Sequence, residues 1–270
     1  MKELDTKTAL VTGAAGGIGL ALAERFAAEG MSVVLADIDT AGLTTATRRL
    51  TERGAAALSV TTDVTDPASV RALAEAARER FGTVDVLCAN AGVAGPWSDA
   101  EWTIPPAEWQ RVFAVNVLGV VHSLAAFVPH MIASGSPGHI VVTTSLASYL
   151  TTPSAAPYFA SKHAALSIVE TLRLQLAARN APIGVSVLCP DRVRTRVIER
   201  ELAHQYGPDA AASAIDPFAG PAVLEPDQVA AIVIDGIRAE RYLLLTHDSS
   251  RAQIQARLDK LNAGLNEPAS

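Results

Sequence analysis

A tyrosine and a lysine four residues apart form the most informative chemical pair in this chain. Tyr158 and Lys162 lie in the segment SAAPYFASKH. Residues at this spacing share one face of a helix, so we expect the lysine ammonium beside the tyrosine phenol. A phenol titrates near pH ~10, and a neighbouring cation lowers that pKa. The pair is therefore expected to move a proton on or off an alcohol oxygen near neutral pH.

The pair alone is weak evidence, because a surface lysine beside a core tyrosine gives the same spacing. Two further polar residues strengthen the pattern. Ser145 lies thirteen residues before Tyr158, just past a strand-like run, where a strand-end hydroxyl is the alternative interpretation. Asn116 is an amide in a run of apolar residues, and a buried amide needs hydrogen-bond partners. A satisfied structural asparagine is the alternative there.

A glycine-rich turn near the start of the chain predicts a dinucleotide site. Gly13, Gly17 and Gly19 link a strand to a helix, and Ala15 and Ile18 complete the turn. Such glycines let the backbone approach a pyrophosphate at a helix N-terminus. A bare tight turn is the alternative, although it does not need three glycines.

Asp37 ends the second predicted strand and indicates which cofactor binds. A carboxylate there accepts hydrogen bonds from a ribose diol and repels a 2′-phosphate. Neither Arg nor Lys follows closely, so NAD is preferred over NADP. The alternative, a helix N-cap, suits Asp39 or Thr40 better.

Two later strand ends continue the predicted cofactor cleft. Asp63 and Val64 follow the third strand, where the carboxylate is placed to accept from an adenine amino group or is an ordinary loop residue. Asn90, Ala91 and Gly92 follow the fourth strand, where small residues allow a close approach to a ribose. A plain Asn-x-Gly turn is the alternative.

Strand and helix signals alternate along all 270 residues. This alternation predicts an α/β fold, a single-domain, Rossmann-like, doubly wound parallel sheet of about seven strands flanked by helices. Strands are expected at 8–12, 32–37, 57–62, 84–89, 139–144, 183–189 and 242–246. Helices are expected at 17–29, 40–53, 66–81, 105–134, 157–179, 226–239 and 249–262.

As a set, these motifs resemble the short-chain dehydrogenase/reductase family, in its short single-domain subgroup, over about residues 6–247. The resemblance implies that Tyr158 exchanges the proton, Lys162 lowers its pKa and bonds the nicotinamide ribose, and Ser145 holds the substrate oxygen. Asn116 would position a water that connects Lys162 to solvent. The resemblance also implies cofactor contacts from Pro190, Val193 and Thr195. In place of the family's usual Pro-Gly the chain has Pro190-Asp191, so a different turn is expected there.

Two segments, about 93–104 and 192–220, have no predicted role in the sheet and are expected to form the substrate site. Trp97 and Trp102 in the first segment suggest an apolar pocket, and simple packing of the loop is the alternative. The second contains Ile198, Leu202, His204, Tyr206 and Phe218. Arg192, Arg194, Arg196 and Arg200 are expected to form a solvated face rather than an anion site.

The composition of the chain argues against several classes of binding partner and location. Net charge is −6 and there is no basic block, which argues against nucleic acid or an anionic membrane as a partner. We find no apolar run of the ~18 residues that a membrane span needs, no signal-peptide core and no metal-ligand spacing among the histidines. Cys88 and Cys189 lie in apolar runs and are expected to be buried thiols of a cytoplasmic protein.

The two longest predicted helices are apolar nearly all round. One face of each can cover the sheet, and the other would be left exposed in a monomer. We therefore expect a homodimer or homotetramer.

Together the patterns predict an NAD-dependent enzyme that transfers a hydride between nicotinamide and a secondary alcohol or ketone, with a mostly apolar or aromatic small-molecule substrate. The alternatives are an NADP-dependent carbonyl reductase and a cofactor-binding sensor or scaffold with little turnover. The intact set of Asn116, Ser145, Tyr158 and Lys162 argues against the sensor.

Overall fold

The computed structural model describes residues 1–98, 100–207 and 223–265. Within them, seven parallel strands form one sheet in the order β3-β2-β1-β4-β5-β6-β7. This confirms the predicted doubly wound α/β fold. The strands are β1 (Thr8–Thr12), β2 (Ser32–Asp37), β3 (Ala57–Thr61), β4 (Val86–Ala89), β5 (Gly138–Thr143), β6 (Ile183–Cys189) and β7 (Leu243–Leu245).

Helices cover both faces of the sheet. They are α1 (Gly17–Ala28), α2 (Thr40–Thr51), α3 (Pro67–Phe81), α4 (Pro106–Phe113), α5 (Gly119–Ser134), α6 (Ala156–Ala178), α7 (Val197–Tyr206), α8 (Pro226–Arg238) and α9 (Asp248–Leu265). Helix α7 was not predicted. The other helix bounds agree with the sequence-based ranges to within about three residues, except that the range 105–134 divides into α4 and α5.

Successive residues of the central strands point into two different apolar cores, because these strands are buried on both faces. Val11 of β1 packs with Phe26 of α1 and Ile234 of α8 on one side of the sheet. Leu10, the neighbouring residue of β1, packs with Phe127 of α5 on the other side. This arrangement explains why the strand sequences are almost continuously apolar.

The helical stretch from Pro106 to Ser134 corrects two expectations. It contains a π-helical turn, Ala114–Leu118, that separates α4 from α5. By length and composition it is also long and apolar enough to cross a membrane. The sequence-based expectation that the chain has no such run is therefore wrong. Val120, Phe127 and Met131 are buried against the sheet and its neighbours, so core packing accounts for part of this apolar character.

The strand order reverses between β1 and β4, which places a crevice at the carboxyl ends of these strands. The glycine-rich turn after β1 and the Asn90 segment after β4 meet there. The described part of the segment from residue 192 forms no strand of the sheet, and Val193 makes an isolated parallel bridge with Leu224 outside it. Residues 208–220, including Phe218, lie outside the described part of the chain.

Candidate active site

The four predicted catalytic residues come from three elements that converge beside the crevice. Ser145 follows β5, Tyr158 and Lys162 lie on α6, and Asn116 lies in the π-helical turn. Helix α6 begins sharply, since Ala155 before it has a left-handed φ of 61° and Pro157 follows in its first turn. This start places the phenol and the ammonium one turn apart, as predicted.

Lys162 is a buried lysine, with 4% of its surface exposed. Its Nζ donates a hydrogen bond to the carbonyl oxygen of Thr143 at 3.1 Å and lies 5.7 Å from the ring centroid of Tyr158. Burial lowers the pKa of Lys162 from 10.5 to about 8. The fold therefore keeps a costly ammonium beside the phenol, as expected for a functional group rather than a packing residue.

The pKa of Tyr158 differs from the expectation. Burial raises the pKa of this phenol, and the hydrogen bond with the Ser145 hydroxyl offsets part of that rise. Desolvation of the phenolate is the larger of these two effects. The Lys162 ammonium donates its hydrogen bond to Thr143 instead. The pKa of Tyr158 therefore lies above its ordinary value, and the prediction of a lowered pKa is wrong.

Asn116 holds the catalytic helix against the loop after β4. Its Nδ2 donates to Val93 O at 3.0 Å and to Ser161 Oγ at 2.9 Å, and its Oδ1 accepts from Val93 N at 2.9 Å. Ser161 Oγ in turn donates to the carbonyl oxygen of Tyr158 at 2.7 Å. The expected hydrogen-bond partners are therefore present, and the water-positioning role remains a prediction.

Sequence reasoning missed Ser161, which completes this chain of hydrogen bonds. Its only signal was its position directly before Lys162, with a hydroxyl that could bond back within the helix. The structure shows a packing reason for glycine at position 92, and its contact with a ribose remains a prediction. A Cβ at this position would lie 3.2 Å from Asn116 Oδ1 and 3.4 Å from Lys162 Nζ, so a larger residue would press on both.

The glycine-rich turn has the shape of an anion cradle. Gly13 has a φ of 68°, and a Cβ at Gly19 would overlap the Gly13 carbonyl oxygen, so both positions require glycine. No side chain caps the N-terminus of α1 at Gly16, and space is open around that residue. The first N–H groups of α1, from Gly17 and Ile18 onward, therefore suit a pyrophosphate.

Asp37 lies beside this cradle, as predicted. Its carboxylate oxygens accept from Ala15 N at 2.9 Å and from Asp39 N at 3.0 Å. Asp39 is the N-cap of α2 and accepts from Gly42 N at 2.9 Å. The N-cap alternative for Asp37 is thus excluded, and its carboxylate stands at the turn where a ribose would follow the pyrophosphate.

The residues after β3 are held by local contacts. Asp63 Oδ1 accepts from Thr65 N at 2.9 Å and from Thr65 Oγ1 at 2.7 Å. Val64 is buried, and its carbonyl oxygen accepts from His122 Nδ1 at 2.8 Å. These bonds fix the loop in the crevice, and contact with an adenine remains a prediction.

The Asn90 segment joins three strands. Asn90 Nδ2 donates to Thr12 O at 3.0 Å, and Asn90 Oδ1 accepts from Thr143 Oγ1 at 3.0 Å. The Thr12 hydroxyl accepts from Asn90 N at 2.9 Å and from Ala91 N at 3.1 Å. Asn90 is therefore the anchor that aligns the ends of β1, β4 and β5, and Ala91 passes directly over Gly13.

The segment from Pro190 to Thr195 completes the crevice. The Pro190 carbonyl oxygen accepts from Ser145 Oγ at 3.3 Å and from Leu146 N at 2.9 Å. A Cβ at Gly17 would lie 3.3 Å from Thr195 Cγ2, so Thr195 lies across the cradle. Asp191 is not among the residues with positive φ and donates its N–H to Thr246 Oγ1 at 3.1 Å. Aspartate therefore replaces the usual glycine without strain.

The two tryptophans predicted to contact substrate occupy different positions. Trp97 is partly buried, and its backbone N–H and C=O bond to the side chain of Gln205 on α7. Trp102 is 87% exposed to solvent. Their substrate contacts remain predictions. Among the described residues, no cluster of His, Cys, Asp and Glu is arranged to hold a metal ion.

The two cysteines are free and buried, as expected. Burial raises the pKa of the Cys189 thiol to about 11, and the pKa of Cys88 is raised for the same reason. Both are therefore protonated packing residues near neutral pH.

Comparison with known proteins agrees with this geometry. The sequence profile described as short chain dehydrogenase matches residues 7–205. The chain belongs to the short-chain dehydrogenase/reductase family. It is therefore an oxidoreductase-family protein of the kind that binds a nicotinamide cofactor and acts on small molecules.

Three similar proteins cover nearly the whole chain. A 1-deoxy-11-beta-hydroxypentalenate dehydrogenase from Streptomyces exfoliatus is 38% identical over 95% of this chain and 89% of its own length. A CLA biosynthesis dehydrogenase/reductase from Lactiplantibacillus plantarum is 30% identical over 97% of this chain and 95% of its own. A family member from Burkholderia phymatum, solved in complex with NAD, superposes with a TM-score of 0.88, 36% identity and full coverage of both chains.

Proposed function

We propose that this protein is an NAD-dependent dehydrogenase that oxidises a secondary alcohol to a ketone, or catalyses the reverse reduction. The observation that carries the proposal is the convergence of Tyr158, Ser145 and Lys162 on one side of a crevice whose other side is the glycine-rich cradle and Asp37. The name of the Streptomyces exfoliatus relative, a dehydrogenase of a hydroxy compound, supports the same reaction class.

The chain's own residues account for the proton half of the reaction. Bound nicotinamide supplies the acceptor or donor of the hydride. Ser145 holds the substrate oxygen by a hydrogen bond, and the Tyr158 phenolate accepts the proton as the O–H bond of the alcohol breaks. The buried Lys162 stabilises the negative charge on the phenolate, because charges interact strongly away from water. In the reduction, Tyr158 returns the proton to the carbonyl oxygen.

The preference for NAD is argued from Asp37. Its carboxylate stands next to Ala15 at the end of the cradle, where a 2′-phosphate would meet a negative charge. One observation favours the NADP alternative. A hollow of about 430 Å³ beside Ala15 and Asp39 is also lined by Arg49 and Arg196. Arg49 is paired with Glu24 at 2.7 Å, which reduces its availability for a phosphate.

We also propose that the protein is a cytoplasmic homodimer or homotetramer built on α5 and α6. The outer faces of these helices leave Val121, Ile132 and Leu174 exposed, Leu118 is exposed in the π-helical turn before α5, and a groove of about 540 Å³ lies between the helices. A twofold pairing of the two helices would bury this apolar surface.

The reaction is tested by incubating the purified protein with NAD⁺ or NADP⁺ and a panel of secondary alcohols, and with NADH or NADPH and the matching ketones. Turnover with kcat/KM favouring NAD(H) is expected. Equal use of both cofactors would refute the role of Asp37, and binding of NAD without turnover on any compound would favour the sensor alternative.

A further inference from the structure

Helix α7 is attached to the rest of the protein by an ion pair between a buried glutamate and a partly exposed arginine. Glu201 on α7 is 3% exposed, and its Oε1 accepts a hydrogen bond from Arg111 on α4 at 2.6 Å. Arg111 Nε also donates to Glu108 at 2.9 Å. A buried carboxylate is tolerated when it is paired, and removal of its partner leaves an uncompensated charge.

The same helix is tied to the loop beside the catalytic tyrosine. Gln205 Nε2 donates to Trp97 O at 3.2 Å, and Gln205 Oε1 accepts from Trp97 N at 3.4 Å. Two residues earlier in this loop, Gly95 lies against Val112 and the backbone of Tyr158. The ion pair and the glutamine bridge therefore fix α7 at the substrate side of the site.

The contacts of α7 on the cofactor side are weaker. Arg200 lies 3.7 Å from Asp39, and both side chains are partly exposed to solvent. An exposed pair at this distance contributes little to stability, whereas separating the hydrogen-bonded Arg111–Glu201 pair would leave the buried Glu201 carboxylate without its partner. Helix α7 is thus held firmly on one side and loosely on the other.

Building on the proposed dehydrogenase function, we propose that Arg111 and Glu201 form a clamp that positions α7 as the cover of the substrate side. The clamp sets the affinity for the substrate and takes no part in the chemical step. Arg111 is a positioning residue here and not a receptor for an anionic substrate, because its guanidinium already donates to two carboxylates. Glu108 extends the clamp to His204 on α7, at 3.2 Å.

The test compares Arg111→Met with the wild type. Methionine keeps most of the packing volume but leaves Glu201 buried without its partner. The expected result is a rise of at least tenfold in the KM of the substrate, with kcat within about threefold and the Kd of NAD unchanged. An unchanged substrate KM, or a fall in kcat at constant KM, would overturn the proposal.

Two matched variants separate the clamp from a general loss of stability. Glu201→Gln retains an oxygen that accepts from Arg111, so a smaller rise in KM is expected than for Arg111→Met. Arg200→Gln removes the exposed pair one residue away and is expected to change the substrate KM by less than twofold. Equal effects from all three variants would contradict the proposal.

A second measurement does not depend on turnover. Limited digestion with trypsin reports the opening of α7 through cleavage after Arg196 and Arg200. Faster cleavage is expected in Arg111→Met than in wild type, while cleavage after Arg71 on α3 stays at the wild-type rate. If no alcohol in the panel is oxidised, the proposed function fails, and this digestion still decides the clamp: equal cleavage of α7 in both proteins refutes it.

Discussion

Replacing Lys162 by methionine is expected to stabilise the fold while abolishing turnover. Burial lowers the pKa of Lys162 from 10.5 to about 8. The difference corresponds to about 3 kcal/mol at neutral pH, which is the free energy spent on holding the ammonium away from water. The substitution also removes the hydrogen bond to Thr143, which lowers the stability of the variant by about 1 kcal/mol. The variant should therefore be about 2 kcal/mol more stable than the wild type at pH 7.

The sign of the pH dependence makes this prediction specific. Between pH 8 and 10.5 the unfolded wild type binds a proton at Lys162 that the folded wild type has lost, so wild-type stability rises with pH through this range. The advantage of Lys162→Met should consequently fall to near zero by about pH 9.5.

Denaturant unfolding of the wild type and of Lys162→Met at pH 7 and pH 9.5 measures the difference between their free energies of unfolding at each pH. Lys7→Met, at a partly exposed lysine paired with Asp85, serves as the control and is expected to show no such narrowing. The argument from burial would be refuted by a Lys162→Met variant that is less stable than the wild type at pH 7. It would also be refuted if the free energies of unfolding of variant and wild type differed by the same amount at both pH values.

Three further predictions address the cofactor, the core and the assembly. Asp37→Ala should narrow the preference for NAD(H) over NADP(H) in kcat/KM at least tenfold, and an unchanged ratio would count against the ribose role. His139 is buried with a pKa lowered to about 4, so stability should be lost as pH falls from 6.5 towards 4, by about 2 kcal/mol between pH 6.5 and 5. Urea unfolding of His139→Gln should not show this loss of stability. An equal loss in the variant would mean that a different group causes it. Light scattering at micromolar concentration should give a dimer or tetramer, whereas an active 28.2 kDa monomer would contradict the proposed pairing of α5 and α6.

The strands and most helices were predictable because each sequence signal here acts locally. Apolar runs bounded by glycine, the Asp66-Pro67 helix start and the acidic end of β2 each determine a few neighbouring residues. Their parallel order then follows from the alternation of strands and helices. The same local signals placed Gly13, Asp37, Ser145, Tyr158 and Lys162 at the crevice.

The remaining features depend on contacts between distant residues. The π-helical turn at Asn116 and the bridge from Val193 to Leu224 have no periodic signature. Helix α7 is short and polar on average, and its position depends on Arg111, which is 90 residues from Glu201 in sequence. The raised pKa of Tyr158 was missed because spacing reveals the neighbouring charge but not the amount of desolvation.

The proposed dehydrogenase chemistry depends on proton transfer by Tyr158. Tyr158→Phe removes only the hydroxyl and should retain the ring packing, including the edge-to-face contact with Phe159. Single-turnover hydride transfer, measured at a saturating concentration of whichever alcohol the panel identifies, tests the claim most directly. We expect a loss of 10²–10⁴-fold, as is typical of a removed general acid/base, with the Kd of NAD unchanged. A variant that retains a tenth of the wild-type rate would contradict it.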